Sequence, residues 1–190
     1  FGGMMGKLFL TSELWDGIDT YDYYTREDFA VKNTVPTAEG ALEIAMREYA
    51  GTINGSNCLV AGYGRIGKVL AWMLRGIGAK VTVSARRTSD LAWVELFGYQ
   101  AVKTDDICDR DQYDLIFNTI PALVFNRRML SKAREGTILI DLASAPGGVD
   151  YEAAEKLGIR VIKALSLPGR VAPKAAGEII KNTIYNIMEE

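Results

Sequence analysis

The chain has 190 residues, 48% of them hydrophobic, enough to bury the core of one domain and leave a short appended segment. Its 22 Lys and Arg against 24 Asp and Glu leave a formal charge of -2, with no basic cluster beyond Arg86, Arg87 and the pair Arg127, Arg128, so no nucleic-acid surface is expected. No apolar run approaches membrane-spanning length and no signal peptide is read, so no membrane is expected, and there is no histidine, the usual proton carrier near neutral pH and a frequent metal ligand.

Two cysteines, Cys58 and Cys108, stand far apart, and Cys58 falls in an expected buried strand. Neither a disulfide nor a metal site is expected from them, which points to the reducing cytoplasm. The sequence starts at Phe1 with Met4 and Met5 just inside, and reads as a fragment or trimmed chain; a start at Met4 or Met5 is the alternative.

Residues 1–33 show little periodicity and read as the remnant of a preceding element followed by a linker, with 29–31 as a short strand. Tyr21, Tyr23 and Tyr24 are expected to pack on the domain surface. Residues 34–190 read as the nucleotide-binding domain. Its first element is a helix over 34–50, with Ala38, Leu42, Ala45, Met46 and Tyr49 at helical spacing, Pro36 near the start and Gly51 ending it.

The stretch 57–67, NCLVAGYGRIG, organises the rest of the chain. An apolar strand stops at Gly62, and Gly62, Gly64 and Gly67 then open a helix over 68–77. Such a bend needs a first glycine for its backbone angles, a second so that a diphosphate can approach the main chain, and a third for helix-on-strand packing. Amide groups at the helix start, from Arg65 and Ile66 to Gly67, then face the phosphates. A glycine-rich turn of another α/β fold is the competing reading.

Further strands are expected at 80–84, 100–102, 115–118, 137–141 and 160–163, and helices at 88–97, 126–133, 150–157 and 172–188. Strand and helix alternate throughout. The expected fold is therefore α/β: a Rossmann-type, doubly wound parallel sheet in three α/β/α layers, with ligand outside the carboxyl ends of the strands.

An NAD site would carry a carboxylate about 20 residues past the glycines, holding the ribose diol. Here the second strand ends Ser84, Ala85, Arg86, Arg87. A small residue followed by guanidinium leaves room for a 2′-phosphate and supplies bidentate donors, so NADP is favoured, with NAD possible. Solvated surface charge is the plain alternative for both arginines.

Four other stretches fall at the ligand-facing edge. Asn118, Thr119 and Pro121 follow the fourth strand and are expected beside the nicotinamide ribose. Asp141 and Ser144 follow the fifth, in a turn shaped by Pro146 and two glycines. Arg170 and Lys174 lie in 164–176, read as a glycine- and proline-rich loop suited to an anionic substrate. Thr37 and Glu39 open the first helix. Each has a structural reading too: Thr119 and Ser144 satisfying backbone groups, Asp141 a cap, Glu39 a charge complementing the helix dipole.

At PTAEG, NTIPAL, DLASAPGG and LPGRVAPKAAG, and at REDFAVKNTVPTAEG from Arg26, the chain resembles the family of dipicolinate synthase A subunits over nearly its whole length. More distantly, its nucleotide domain resembles that of D-isomer-specific 2-hydroxyacid dehydrogenases. The first resemblance implies a sporulation enzyme of the mother-cell cytoplasm that oxidises a dihydro- or tetrahydrodipicolinate precursor to pyridine-2,6-dicarboxylate, with NADP taking up the hydride. It also implies a partner, the flavoprotein-like B subunit of dipicolinate synthase, and it carries over Gly62, Gly64, Gly67 and Arg86.

For this small dicarboxylate substrate, Arg170, Lys174, Ser144 and Thr37 are the expected binding groups. Asp141 or Glu39 is the expected base, and Lys174 joins them among the catalytic candidates. Family members carry an additional α/β portion ahead of the matched region, so a cofactor-binding module without turnover competes with the enzyme. A dehydrogenase of another small acid is a third reading. A homo-oligomer is possible.

Overall fold

In the computed structural model, residues 1–6, 13–107 and 112–190 are described. Their helices are α1 (Glu27–Lys32), α2 (Thr34–Glu48), α3 (Arg65–Gly76), α4 (Thr88–Leu96), α5 (Arg127–Leu130), α6 (Tyr151–Lys156), α7 (Leu167–Val171) and α8 (Pro173–Glu189). Their strands are β1 (Asn57–Ala61), β2 (Lys80–Ala85), β3 (Gln100–Lys103), β4 (Leu115–Asn118), β5 (Ile138–Asp141) and β6 (Arg160–Lys163). Cys108, considered above for a disulfide, lies outside the described residues.

The six strands run parallel in the order β3-β2-β1-β4-β5-β6. Alternation along each strand divides the core. Cys58 and Val60 join the cluster under α2, α3, α4 and α7, which contribute Ala41, Leu70, Leu74, Val94 and Leu167. Leu59 and Ala61 join the opposite cluster, with Phe125, Met129, Leu130, Ala153 and Ala154. Because a strand buried on both faces needs cover on both, this is the expected three-layer α/β/α sheet. Its order reverses at β1, whose neighbours are β2 and β4.

Three elements differ from the sequence expectation. Residues 29–31 lie inside α1, not in a strand: Glu27 and Asp28 occupy its first turn and Lys32 its last, matching the helix dipole, and Phe29 is buried. Residues 164–176 are not a loop, because α7 and the start of α8 fill them. Pro168 and Pro173 stand in the first turns, where a missing N–H costs nothing. The first helix of the expected domain stops at Glu48 with Tyr49 extended, before Gly51.

Residues 1–6 and 13–33 are tied to the rest of the fold by described contacts. The Asp22 carboxylate accepts from the backbone N–H of Met4 (3.1 Å), Met5 (2.8 Å) and Tyr24 (2.9 Å), and the rings of Tyr23 and Tyr24 pack on Phe29. Arg26 donates to both oxygens of Glu190 at 2.6 and 2.7 Å, and Asn186 Nδ2 donates to Asp28 at 3.0 Å, fastening α1 to the end of α8. These contacts hold the carboxyls of Asp28 and Glu190 below the usual carboxylate range, Asp28 chiefly through the Asn186 hydrogen bond and Glu190 chiefly through Arg26.

The direction of α2 fixes which of its residues approach the ligand edge. Arg160, at the amino end of β6, hydrogen-bonds the Glu48 carboxylate at the end of α2. The helix therefore runs against the strands and presents its first turns, with Thr37, toward their carboxyl ends.

Candidate nucleotide-binding site

The bend between β1 and α3 is held open by the bare backbone of its glycines. Gly62 has φ +101, a conformation L side chains rarely adopt, and a Cβ there would stand 2.6 Å from Thr119 Oγ1. A Cβ on Gly67 would stand 2.0 Å from the Gly62 carbonyl oxygen, whereas one on Gly64 would meet open space. Helix and strand are thus as close as two backbones allow at Gly67, and Gly64 leaves the approach to the helix start clear. Among the described residues no side chain caps α3, so its first amides are free for a ligand.

Neighbouring strands brace this bend. The Gly62 N–H donates to Ser84 O (3.1 Å), and both the Thr119 N–H (3.0 Å) and its Oγ1 (2.8 Å) donate to Ala61 O. Arg65, the first residue of α3, donates to the Glu27 carboxylate at 2.7 Å. Ile66 is half-buried against the core.

Past β2, Ser84 is buried and its Oγ has no hydrogen-bond partner among the described residues, while Arg86 is exposed and forms no ion pair with any of them. Arg87 lies 3.3 Å from Asp90 and is already engaged. Among residues 84–87 no carboxylate stands at the strand end, and one guanidinium is uncommitted. These residues fit a dinucleotide: free amides over an open glycine for the diphosphate, and Arg86 for an anionic group on the ribose.

The carboxyl ends of β4 and β5 are joined by a buried polar network. Asn118 Nδ2 donates to Asp141 Oδ1 (2.8 Å) and to Ile120 O (3.2 Å), and its Oδ1 accepts from the Ile120 N–H (3.1 Å). Asp141 is 1% exposed; its Oδ1 also accepts from the Ala143 N–H (3.2 Å) and its Oδ2 from the Tyr151 hydroxyl (2.6 Å). Burial, and then the Asp141 hydrogen bond, push the Tyr151 phenol well up, so it remains a donor. Gly148 is required beside this network, since a Cβ there would stand 2.1 Å from Asn118 Nδ2.

Tyr151 and Gly148 carry no local sequence signal for this role. Tyr151 follows the helix cap Asp150, whose carboxylate accepts from the Ala153 N–H at 2.9 Å, and reads from sequence only as a first-turn residue. Pro121 and Ser144 are exposed on the two adjoining loops, with Ser144 O accepting from the Gly147 N–H at 2.9 Å.

The remaining candidates sit on helices. Thr37 Oγ1 donates to Asn33 O at 2.7 Å, and Glu39 is exposed on an open surface with Leu42, Glu43, Met46 and Arg47. Arg170 on α7 and Lys174 in the first turn of α8 are exposed and unpaired among the described residues. Gly40 brings α7 against α2: a Cβ there would stand 3.0 Å from Leu167 Cβ and 3.2 Å from Val171 Cγ2.

The model of the D-isomer specific 2-hydroxyacid dehydrogenase NAD-binding domain matches residues 30–155. The chain is 39% identical over 168 residues to the dipicolinate synthase A subunit of Bacillus subtilis, covering 88% of this chain and 57% of that protein. The crystal structure of the Bacillus subtilis dipicolinate synthase A chain superposes with a TM-score of 0.91 at 35% identity, over 98% of this chain and 63% of that one. The A subunit from Bacillus halodurans gives 0.84 at 40% identity, over 87% and 58%.

A transhydrogenase from Sinorhizobium meliloti, at 19% identity and a TM-score of 0.74 over 85% of this chain and 56% of that one, shares the fold. The chain spans less than two thirds of the length of each of these relatives. It belongs to the D-isomer specific 2-hydroxyacid dehydrogenase NAD-binding domain family and is homologous to the A subunits of dipicolinate synthase.

Proposed function

We propose that the chain is the NADP-binding part of an oxidoreductase subunit that makes pyridine-2,6-dicarboxylate from a dihydro- or tetrahydrodipicolinate precursor in the mother-cell cytoplasm of a sporulating bacterium. The observation that carries this reading is the β1–α3 bend, open at Gly64 and followed across β2 by Arg86, which forms no ion pair among the described residues, with no carboxylate among residues 84–87. Likeness to proteins named as A subunits of dipicolinate synthase supports the substrate class, and with it a partner, the B subunit of that synthase.

When bound, the nicotinamide coenzyme would supply the hydride acceptor: a dihydro ring gives up one hydride and one proton as it becomes aromatic, and a tetrahydro ring would need two such oxidations, each with its own NADP. The amides of Arg65, Ile66 and Gly67 hold the diphosphate, and Arg86 holds the 2′-phosphate. Asn118, fixed by Asp141 and Ile120, sets the loop of Thr119 and Pro121 along the nicotinamide ribose. Arg170 binds a substrate carboxylate, with Thr37 and Ser144 orienting the ring.

Lys174 holds the second substrate carboxylate, because an ammonium has no lone pair with which to take the ring proton, which passes to Glu39 or to water. Both oxygens of Asp141 are already engaged, so Asp141 positions Asn118 instead. Glu39 shares its surface with the outward residues of α2.

Affinity for NADP and NAD, read by quenching of intrinsic fluorescence, tests the coenzyme: Arg86→Ala lowers the NADP preference about tenfold, the scale of one charge-assisted bidentate contact. An unchanged ratio removes the 2′-phosphate role.

Turnover is tested with chemically generated dihydrodipicolinate and NADP, following pyridine absorbance and NADPH fluorescence together. A cofactor-binding module without turnover is the second reading for these 190 residues taken alone. Tight NADP binding with no product would support it, and product from a longer chain would return the reading to the enzyme.

A further inference from the structure

The outer face of α3 and α4 carries aromatic surface that the coenzyme reading does not use. Trp72 is 67% exposed, Trp93 53% and Phe97 52%. With Tyr63, Lys68 and Tyr99 they line a groove of about 420 Å³ between the two helices. That lies toward the lower end of the range for ligand pockets, about 300–1,000 Å³. Large contiguous aromatic surface is unusual on a free face, and Trp and Tyr are the residues that anchor protein interfaces.

The groove is also pre-shaped. Trp93 and Phe97 stack at 5.8 Å with an interplanar angle of 22°. Lys68 Nζ lies 5.2 Å from the centre of the Tyr63 ring, and the Arg75 guanidinium lies 5.6 Å from that of Tyr99 while donating to Phe97 O. Side chains already held in place lose little freedom on binding.

Charge selects the occupant. Among the described residues Lys68 is the one charged group lining the groove, Arg75 borders it, and the nearby Asp90 is engaged by Arg87. This is a cationic, aromatic patch on a chain whose formal charge is -2. A second copy docked by two-fold symmetry would bring this cationic patch against an identical one, which opposes self-association. A single nucleic-acid strand needs rings free to stack with successive bases, and Trp93 and Phe97 are stacked on each other.

We propose that the α3–α4 groove docks an acidic segment of a partner protein. Two of its apolar side chains, one helical turn apart, enter between Trp72 and the Trp93–Phe97 stack, and its carboxylates reach Lys68 and Arg75. Tyr63 belongs to both this groove and the β1–α3 bend, so the partner sits beside the coenzyme.

The probe is a synthetic helical peptide with leucines at i and i+4 and glutamates at its other charged positions, titrated against the whole chain by tryptophan fluorescence. Binding should shift emission to the blue, with affinity at least tenfold above that of the same peptide carrying lysines for glutamates. Trp93→Ala should weaken it about tenfold, and Lys68→Glu should erase the preference for the acidic peptide. NADP affinity, measured alongside, should be unchanged in Trp93→Ala, which keeps this test separate from that of the coenzyme site.

No binding of the acidic peptide, or equal binding of the lysine peptide, would overturn the proposal. So would tighter binding of an oligothymidylate, or self-association in sedimentation that Trp72→Ala abolishes.

Discussion

At Gly67 a single methyl group separates a working bend from a broken one. Its Cβ would meet the Gly62 carbonyl oxygen at 2.0 Å, and both partners are backbone, so no side-chain rotation relieves the overlap. Gly67→Ala is expected to cost at least about 2 kcal/mol in urea unfolding, the scale of overpacking in a tight core, and to abolish NADP binding in the fraction that folds. The open position serves as control: Gly64→Ala meets nothing and should fold normally while binding the diphosphate less well.

Cys58 shows burial acting on a residue that has no part in the site. Desolvation pushes its thiol up to about 11, against a smaller opposing effect of the Ser56 hydrogen bond. The folded state therefore keeps its proton where the unfolded chain, at an ordinary value near 9.0, has lost it. The stabilisation is complete below pH 9 and is lost as the pH rises toward 11, on the order of 2–3 kcal/mol. Unfolding curves taken across that window should show the fall, and Cys58→Val should remove this part of it.

Among elements, the contact between α2 and α7 rests on Gly40. A Cβ there would press on Leu167 and Val171 at 3.0 and 3.2 Å. Gly40→Val should force α7 outward, costing roughly 1–3 kcal/mol by overpacking and displacing Arg170, so binding of a dicarboxylate should weaken more than binding of NADP. Equal loss of both would separate α7 from the substrate side.

The same helices mark what a reader of the sequence can and cannot see. GYGRIG after NCLVA is legible because strand, glycine and helix signals fall in one register and each local choice agrees with the fold. LSLPGRVAPK misleads: two prolines and a glycine within ten residues look like a loop, whereas the prolines open two helices and Leu167 is buried under α2. REDFAVK is short enough that its apolar residues suit either a strand or a turn of helix, and packing on Tyr23 and Tyr24 decides. The network through Asn118, Asp141 and Tyr151 joins three separate elements, so no local window contains it. Positions such as Gly62 and Asn118 are visible from spacing; what fixes them is not.

Over the whole molecule, the strand order sets how the two halves depend on each other. β1 pairs with β2, the next strand along the chain, and with β4, which is far from it in sequence: Cys58 stands opposite both Val81 and Leu115. Until β4 arrives, one long side of β1 lies open, and β5 and β6 can add only after it.

The sheet should therefore assemble from its centre outward, with closure of the β1–β4 pair as the slow step, because a long loop must be ordered before that contact is rewarded. Val60→Ala, at the fully buried middle of the sheet, should slow refolding with a φ-value above about 0.5, whereas Ile162→Val at the β6 edge should chiefly hasten unfolding. If both act alike on the two rates, the halves form together, and the strand bearing the glycine bend is a late arrival instead of the seed around which the molecule grows.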